Sequence, residues 1–208
     1  MYDYLLLEQS EVTLGIRYIW RNNGLRTLLI VTDLFWFAHD LSGAIDEPMT
    51  LARFNNNAQA LSAILSIGGI GGVTGAIIIT SWDAKQRVNG MLLGFMGAGV
   101  AKTVFGTTIW LPAQFCSSLN FPLLKSSETA LWMETVPSRL QGRVFAANSL
   151  VLELVSAIAT LTAGLLSDRL LEPAMQSDTV LSSLFAPIFG NGSGAGIALL
   201  YVRCYEFS

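Results

Sequence analysis

Apolar positions fall into long blocks separated by short polar stretches. The first block, residues 25–45, is apolar apart from Arg26, Asp33, His39 and Asp40. Residues 58–81 carry no charge, and residues 88–105 carry only Lys102. A fourth block covers 108–134, and a fifth, 144–167, is broken only by Glu153. At a rise of about 1.5 Å per residue, each block is long enough for a helix across a hydrocarbon core of roughly 30 Å. A sixth block starts at Gly194, runs through Val202 and breaks at Arg203. The expected fold is an all-α membrane protein with five complete transmembrane helices and a truncated sixth.

The connections carry the orienting charges. Residues 46–57 form a polar loop with Asp46, Glu47 and the run Asn55-Asn56-Asn57. Residues 82–87 and 135–143 are further loops, and the longest loop is expected over 168–193. One side collects Arg17, Arg21, Arg26, Lys85, Arg87, Arg139 and Arg143; the other has Arg53, Lys102 and Arg169. Positive residues stay on the cytoplasmic side, so residues 1–24 are expected in the cytoplasm. No cleavable leader is visible there, because Asp3, Glu8 and Glu11 surround a short apolar patch. The expected location is the cell membrane, with several passes.

Composition supports that class. Of 208 residues, 52% are apolar and only 13% charged, where soluble domains carry about 25% charge. Mean hydropathy is +0.52. A net charge of −3 argues against a nucleic-acid partner. Two cysteines and one histidine make neither a disulfide framework nor a zinc set. No nucleophile triad or phosphate loop stands in a fitting context. Neither an enzyme nor a cofactor-binding protein is expected.

Two kinds of residue stand out within the blocks. Gly68, Gly71, Gly72 and Gly75 repeat at spacings of four, and Gly90 and Gly94 repeat the device in the third block. Small residues at that spacing let membrane helices approach closely. Ionisable groups inside a span are costly unless they face protein or water. Lys125 and Glu128 stand at i, i+3 beyond Pro122 and share a helix face; Pro112 and Pro122 both interrupt this block. The pair suits either a substrate or proton pathway or a structural ion pair. Asp33 and Glu153 are further pathway candidates, with Glu153 near mid-depth. Glu134, Arg139 and Arg143 close the fourth span and open the fifth, as a cytoplasmic latch or as solvated orienting charges. His39 and Asp40 are read at the outer boundary, and Trp36, Trp82, Trp110 and Trp132 as an interfacial belt.

Several stretches together resemble the C-terminal half of a major facilitator superfamily transporter, in the macrolide-efflux-like drug-exporter branch. They are residues 15–26, residues 51–59, Gly68-Gly-Ile-Gly-Gly-Val-Thr-Gly75, Val136-Pro-Ser-Arg-Leu-Gln-Gly-Arg-Val-Phe145, residues 163–173 and residues 189–196. Residues 141–145, with the upstream Val-Pro, are the most telling. The resemblance implies that residues 1–24 end a central cytoplasmic loop and that 25–208 form a six-helix half with an incomplete last helix. It implies alternating access, driven by protons, and export of lipophilic small molecules. The partners it implies are the lipid bilayer and either the missing N-terminal half or a second copy. Ser127-Glu128 departs from the Asn-Gln pair expected before Trp132, and residues 203–208 do not resemble the family's last helix. A non-transporting remnant and a half-transporter active only as a dimer are the alternatives.

Overall fold

The computed structural model describes residues 13–80, 89, 96–97, 100–101, 110–176, 184–185 and 194–206. The protein is all-α, and no strand occurs among these residues. The main helices are α1 (Asn23–Arg53), α2 (Ala58–Ile79), α3 (Trp110–Thr135), α4 (Ser138–Leu166), α5 (Glu172–Gln176) and α6 (Ala195–Glu206). A π-helical turn, Ser167–Leu171, joins α4 to α5. Three stretches are long and apolar enough to cross a membrane: α1, α2 and the run Ser138–Met175. That is the pattern of a multi-pass membrane protein. The expected third span, residues 88–105, lies largely outside the described residues, as do Trp82, Gly90 and Gly94.

Several expected boundaries move. Residues 13–21 are helical rather than a loop end, and Asn22 separates them from α1. Asn22 caps α1 by accepting from the N–H groups of Gly24 and Leu25. The polar loop expected from Asp46 begins only after Arg53, because α1 continues through Asp46, Glu47 and Pro48. At 31 residues the helix is about 46 Å long, so it overruns the hydrocarbon core and its charged end reaches the headgroup region. The asparagine run then makes the turn. Asn55 and Asn56 have φ of 52° and 58°, a region asparagine tolerates better than most residues. Asn57 caps α2 through its side-chain oxygen.

The turn between α3 and α4 is also shorter than expected, just Val136 and Pro137. Gln141 closes it by donating to the carbonyl oxygens of Met133 and Val136 at 3.0 and 3.1 Å. Those carbonyls end a helix and have no donor of their own. Pro112 falls in the first turn of α3 and does not interrupt it; Pro122 alone is internal. The expected break after Val202 is absent, since α6 continues to Glu206. Residues 195–202 of α6 are buried all round.

The most extensive contact runs between α2 and α3, followed by α1 with α4 and α1 with α6. Three apolar clusters stack along the bundle. Ile19, Leu25, Leu29, Trp132, Val136 and Val144 pack at the end near the α3–α4 turn. Phe35, Trp36 and Leu124 pack in the middle, with Phe121 against them. Leu41, Ile45, Met49, Ile64 and α6 form the largest cluster beyond. Trp36 and Trp132 are therefore interior residues, 8% and 1% exposed, and not part of an interfacial belt.

The glycines divide by what faces them. A Cβ on Gly71 would lie 2.5 Å from the carbonyl oxygen of Phe115, and one on Gly75 would strike that of Leu119. One on Gly68 would meet the Gln114 amide at 2.9 Å. Gly72 has nothing within 4 Å. The stripe of α2 that packs on α3 is thus Gly68, Gly71 and Gly75, and Gly72 leaves it.

Candidate functional site

The face of α3 toward α1 and α2 repeats at helical spacing: Gln114, Ser117 and Ser118, Phe121, Lys125, Glu128. Steps of three and four place these residues along one stripe. On α1 the matching stripe is Asp33, Trp36, His39 and Asp40. On α2, Gly68 and Gly72 border the space beside these stripes and contribute no side chain.

Where the stripes meet, Glu128 is almost fully enclosed. Its side chain is 4% exposed, while that of Lys125 is 48% exposed. The Lys125 ammonium lies 3.4 Å from Glu128 Oε2, and the Trp36 indole N–H donates to the same oxygen at 3.2 Å. The ammonium also lies 4.8 Å from the centre of the Trp36 ring, within cation–π range. One indole thus serves both members of the pair, its N–H toward the anion and its face toward the cation. Asp33 stands near enough for its charge to act on Glu128. A buried carboxylate needs this many partners, because an unpaired one would be strongly destabilising.

A second polar link leaves the stripe sideways. His39 Nδ1 and Asp40 Oδ1 are 3.1 Å apart, and Asp40 also hydrogen-bonds the Ser156 side chain of α4. The His39 ring lies 4.8 Å from Phe121 and 5.3 Å from Trp36. Trp36 and Phe121 meet edge to face at 5.3 Å. His39 therefore sits in an aromatic cluster at mid-length of α1, not at the outer boundary expected from sequence.

These groups border a cavity of about 440 Å³, lined by His39, Gly68, Gly72, Gln114, Ser117, Ser118, Phe121, Pro122 and Lys125. That volume lies in the range of small-molecule sites. It opens between helices at mid-length of α1 and α2. Pro122 has no N–H, so the carbonyl of Ser118 lacks its usual helical donor. A second cavity, about 430 Å³ and largely apolar, lies at the far end among Phe54, Ile64, Trp110 and Pro112. Arg53 stacks over Trp110 beside it, 5.8 Å from the ring centre.

Of the sequence candidates, the structure brings together Asp33, Lys125 and Glu128. Glu153 is exposed on α4 and does not line this cavity. Glu134 and Arg139 are exposed around the α3–α4 turn, and Arg143 is half-buried. A Cβ on Gly15 would strike the Arg143 carbonyl oxygen, so the 13–21 helix docks on this end of α4. Sequence reasoning missed Trp36, His39, Gln114, Ser117, Ser118 and Phe121. The regular three-and-four spacing of polar side chains on α3 was the available signal. Among the described residues, no group of His, Cys, Asp and Glu has the arrangement of a metal site. The chain matches no protein-family model, no curated protein and no solved structure.

Proposed function

We propose that the chain is a secondary carrier that moves small lipophilic molecules across a membrane by alternating access. In this reading it works as one half of a major facilitator-type transporter and exports its substrate against protons. The mid-height cavity carries the proposal. A cavity whose wall carries a lysine, itself paired to a buried glutamate behind that wall, set between membrane-length helices, is the kind of place where carriers hold their substrate and coupling-ion sites. Lys125 and Glu128 are the residues that couple occupancy of the cavity to charge, with Asp33 as their neighbour. The close α2–α3 contact through Gly71 and Gly75 lets these two helices move as one body against α1 and α4. The opposing wall of the pathway comes from a second copy or from a separate half.

The test is transport by the full 208-residue chain in proteoliposomes. A lipophilic fluorescent dye is loaded outside, and a pH gradient is imposed. Gradient-driven dye uptake that is lost in Lys125→Ala and Glu128→Gln is the expected result. Uptake equal to that of protein-free vesicles, for the wild type both alone and crosslinked as a dimer, would overturn the proposal.

A further inference from the structure

We infer that the mid-height cavity selects aromatic weak acids in their anionic form, with the carboxylate on Lys125 and a hydrogen-bond donor on Gln114. The inference rests on the carrier reading of this same cavity and narrows its substrate class.

The charged groups sort by whether they reach the cavity. Lys125 lines it and is half exposed. Glu128 does not line it, being enclosed by the Trp36 indole and by Lys125 itself. Asp33 and Asp40 do not line it either, and Asp40 is engaged by His39 and Ser156. A ligand that enters therefore meets an ammonium and no carboxylate. The ammonium has three donors, and Glu128 takes one of them at a long 3.4 Å. An entering carboxylate finds a charge-assisted partner there, while an entering cation finds only repulsion at short range.

At the other end, Gln114 is 9% exposed and its Oε1 has no hydrogen-bond partner among the described residues. A buried acceptor without a donor carries a desolvation penalty. A ligand N–H or O–H removes it once the amide turns its oxygen toward the cavity that Gln114 lines. Between the two ends, His39 and Phe121 supply an aromatic wall, and Gly72 leaves the opposite side bare. That combination suits a flat ring system. Gln114 and Lys125 are eleven positions apart, about 16 Å along α3. A biphenyl with a polar group at each end, and a hydrogen bond of about 3 Å beyond either group, covers a span of that order.

The probe is 4′-aminobiphenyl-4-carboxylate, measured by equilibrium dialysis against the chain in lipid nanodiscs, with empty nanodiscs subtracted. Its methyl ester and biphenyl-4-carboxylate are the comparisons. The expected result is binding of the acid at least about tenfold tighter than the ester, the discrimination of one charge-assisted bond. That preference is lost in Lys125→Gln and kept in Lys125→Arg. Gln114→Leu weakens the amino acid but not biphenyl-4-carboxylate. Equal binding of acid and ester by the wild type would overturn the inference, and this comparison needs no variant to fold. Loss of the preference in neither lysine variant would also overturn it. Dye transport without an acid preference sinks the inference alone. An acid preference without gradient-driven transport of any probe leaves the site standing and sinks the carrier reading.

Discussion

The indole N–H of Trp36 reaches across 92 positions of sequence to the buried carboxylate of Glu128, at 3.2 Å. This bond ties α1 to α3 at the level where Lys125 joins the same oxygen. Trp36→Phe keeps the ring and removes the donor. Hydrogen bonds to charged groups contribute about 1.5–3 kcal/mol, and the substitution should lower stability by that order. Glu128→Gln should lose less in the Trp36→Phe background than in the wild type. Thermal unfolding of the two single variants and the double variant in detergent checks this; strictly additive losses would mean the two side chains do not interact.

The glycines of α2 predict a sharp contrast. Gly71→Ala and Gly75→Ala push a methyl into backbone carbonyls of α3. Overpacking of this kind destabilises by about 1–3 kcal/mol. Gly72→Ala meets nothing within 4 Å and should leave the melting temperature unchanged or raise it slightly, since alanine is the better helix former. If Gly72→Ala proves as damaging as Gly75→Ala, then α2 meets α3 through a different face.

Gly194 and Gly43 form a second contrast. Gly194 has φ of +83°, and a Cβ there would lie 3.1 Å from Ala52. Alanine in that backbone region costs roughly 1–2 kcal/mol, so Gly194→Ala should lower stability and loosen α6. Gly43 lies exposed within α1 with open space around it. Alanine is favoured over glycine inside a helix by about 1 kcal/mol, so Gly43→Ala should raise stability. Chemical denaturation of both variants reads the two signs.

Glu153 separates folding from transport. It is exposed on α4 within a candidate membrane span, where a carboxylate is costly and a neutral amide of the same shape costs less. Glu153→Gln should therefore fold at least as well as the wild type, while gradient-driven uptake of dye falls, because this face of α4 would border the opposing wall of the pathway. Unchanged uptake over the pH range would remove Glu153 from the pathway.

Much of the helical architecture is legible in the sequence, because membrane-length apolar blocks have few other solutions in a bilayer. The errors lie at the ends. Asp46 and Glu47 look like loop residues, yet a helix that overruns the hydrocarbon core keeps its regular backbone in the headgroup region. Residues 135–143 look like a loop because of Pro137 and two arginines, yet Pro137 is tolerated just before the first turn of α4.

The candidate site divides in the same way. Spacing alone pairs Lys125 with Glu128, since i, i+3 places two side chains on one helix face whatever the rest of the chain does. Spacing cannot assign Trp36 to them, because the same indole fits a headgroup interface and a buried anion equally well. Only the packing of α1 against α3 distinguishes the two. Likewise the glycine repeat announces a close helix contact, but its spacings of four offer two overlapping stripes. Which residues share a face within each helix is a matter of local geometry, and the order of residues sets it. Which faces then meet is set by tertiary packing, because it depends on the rotation of each helix against its neighbours, and no local spacing controls that rotation.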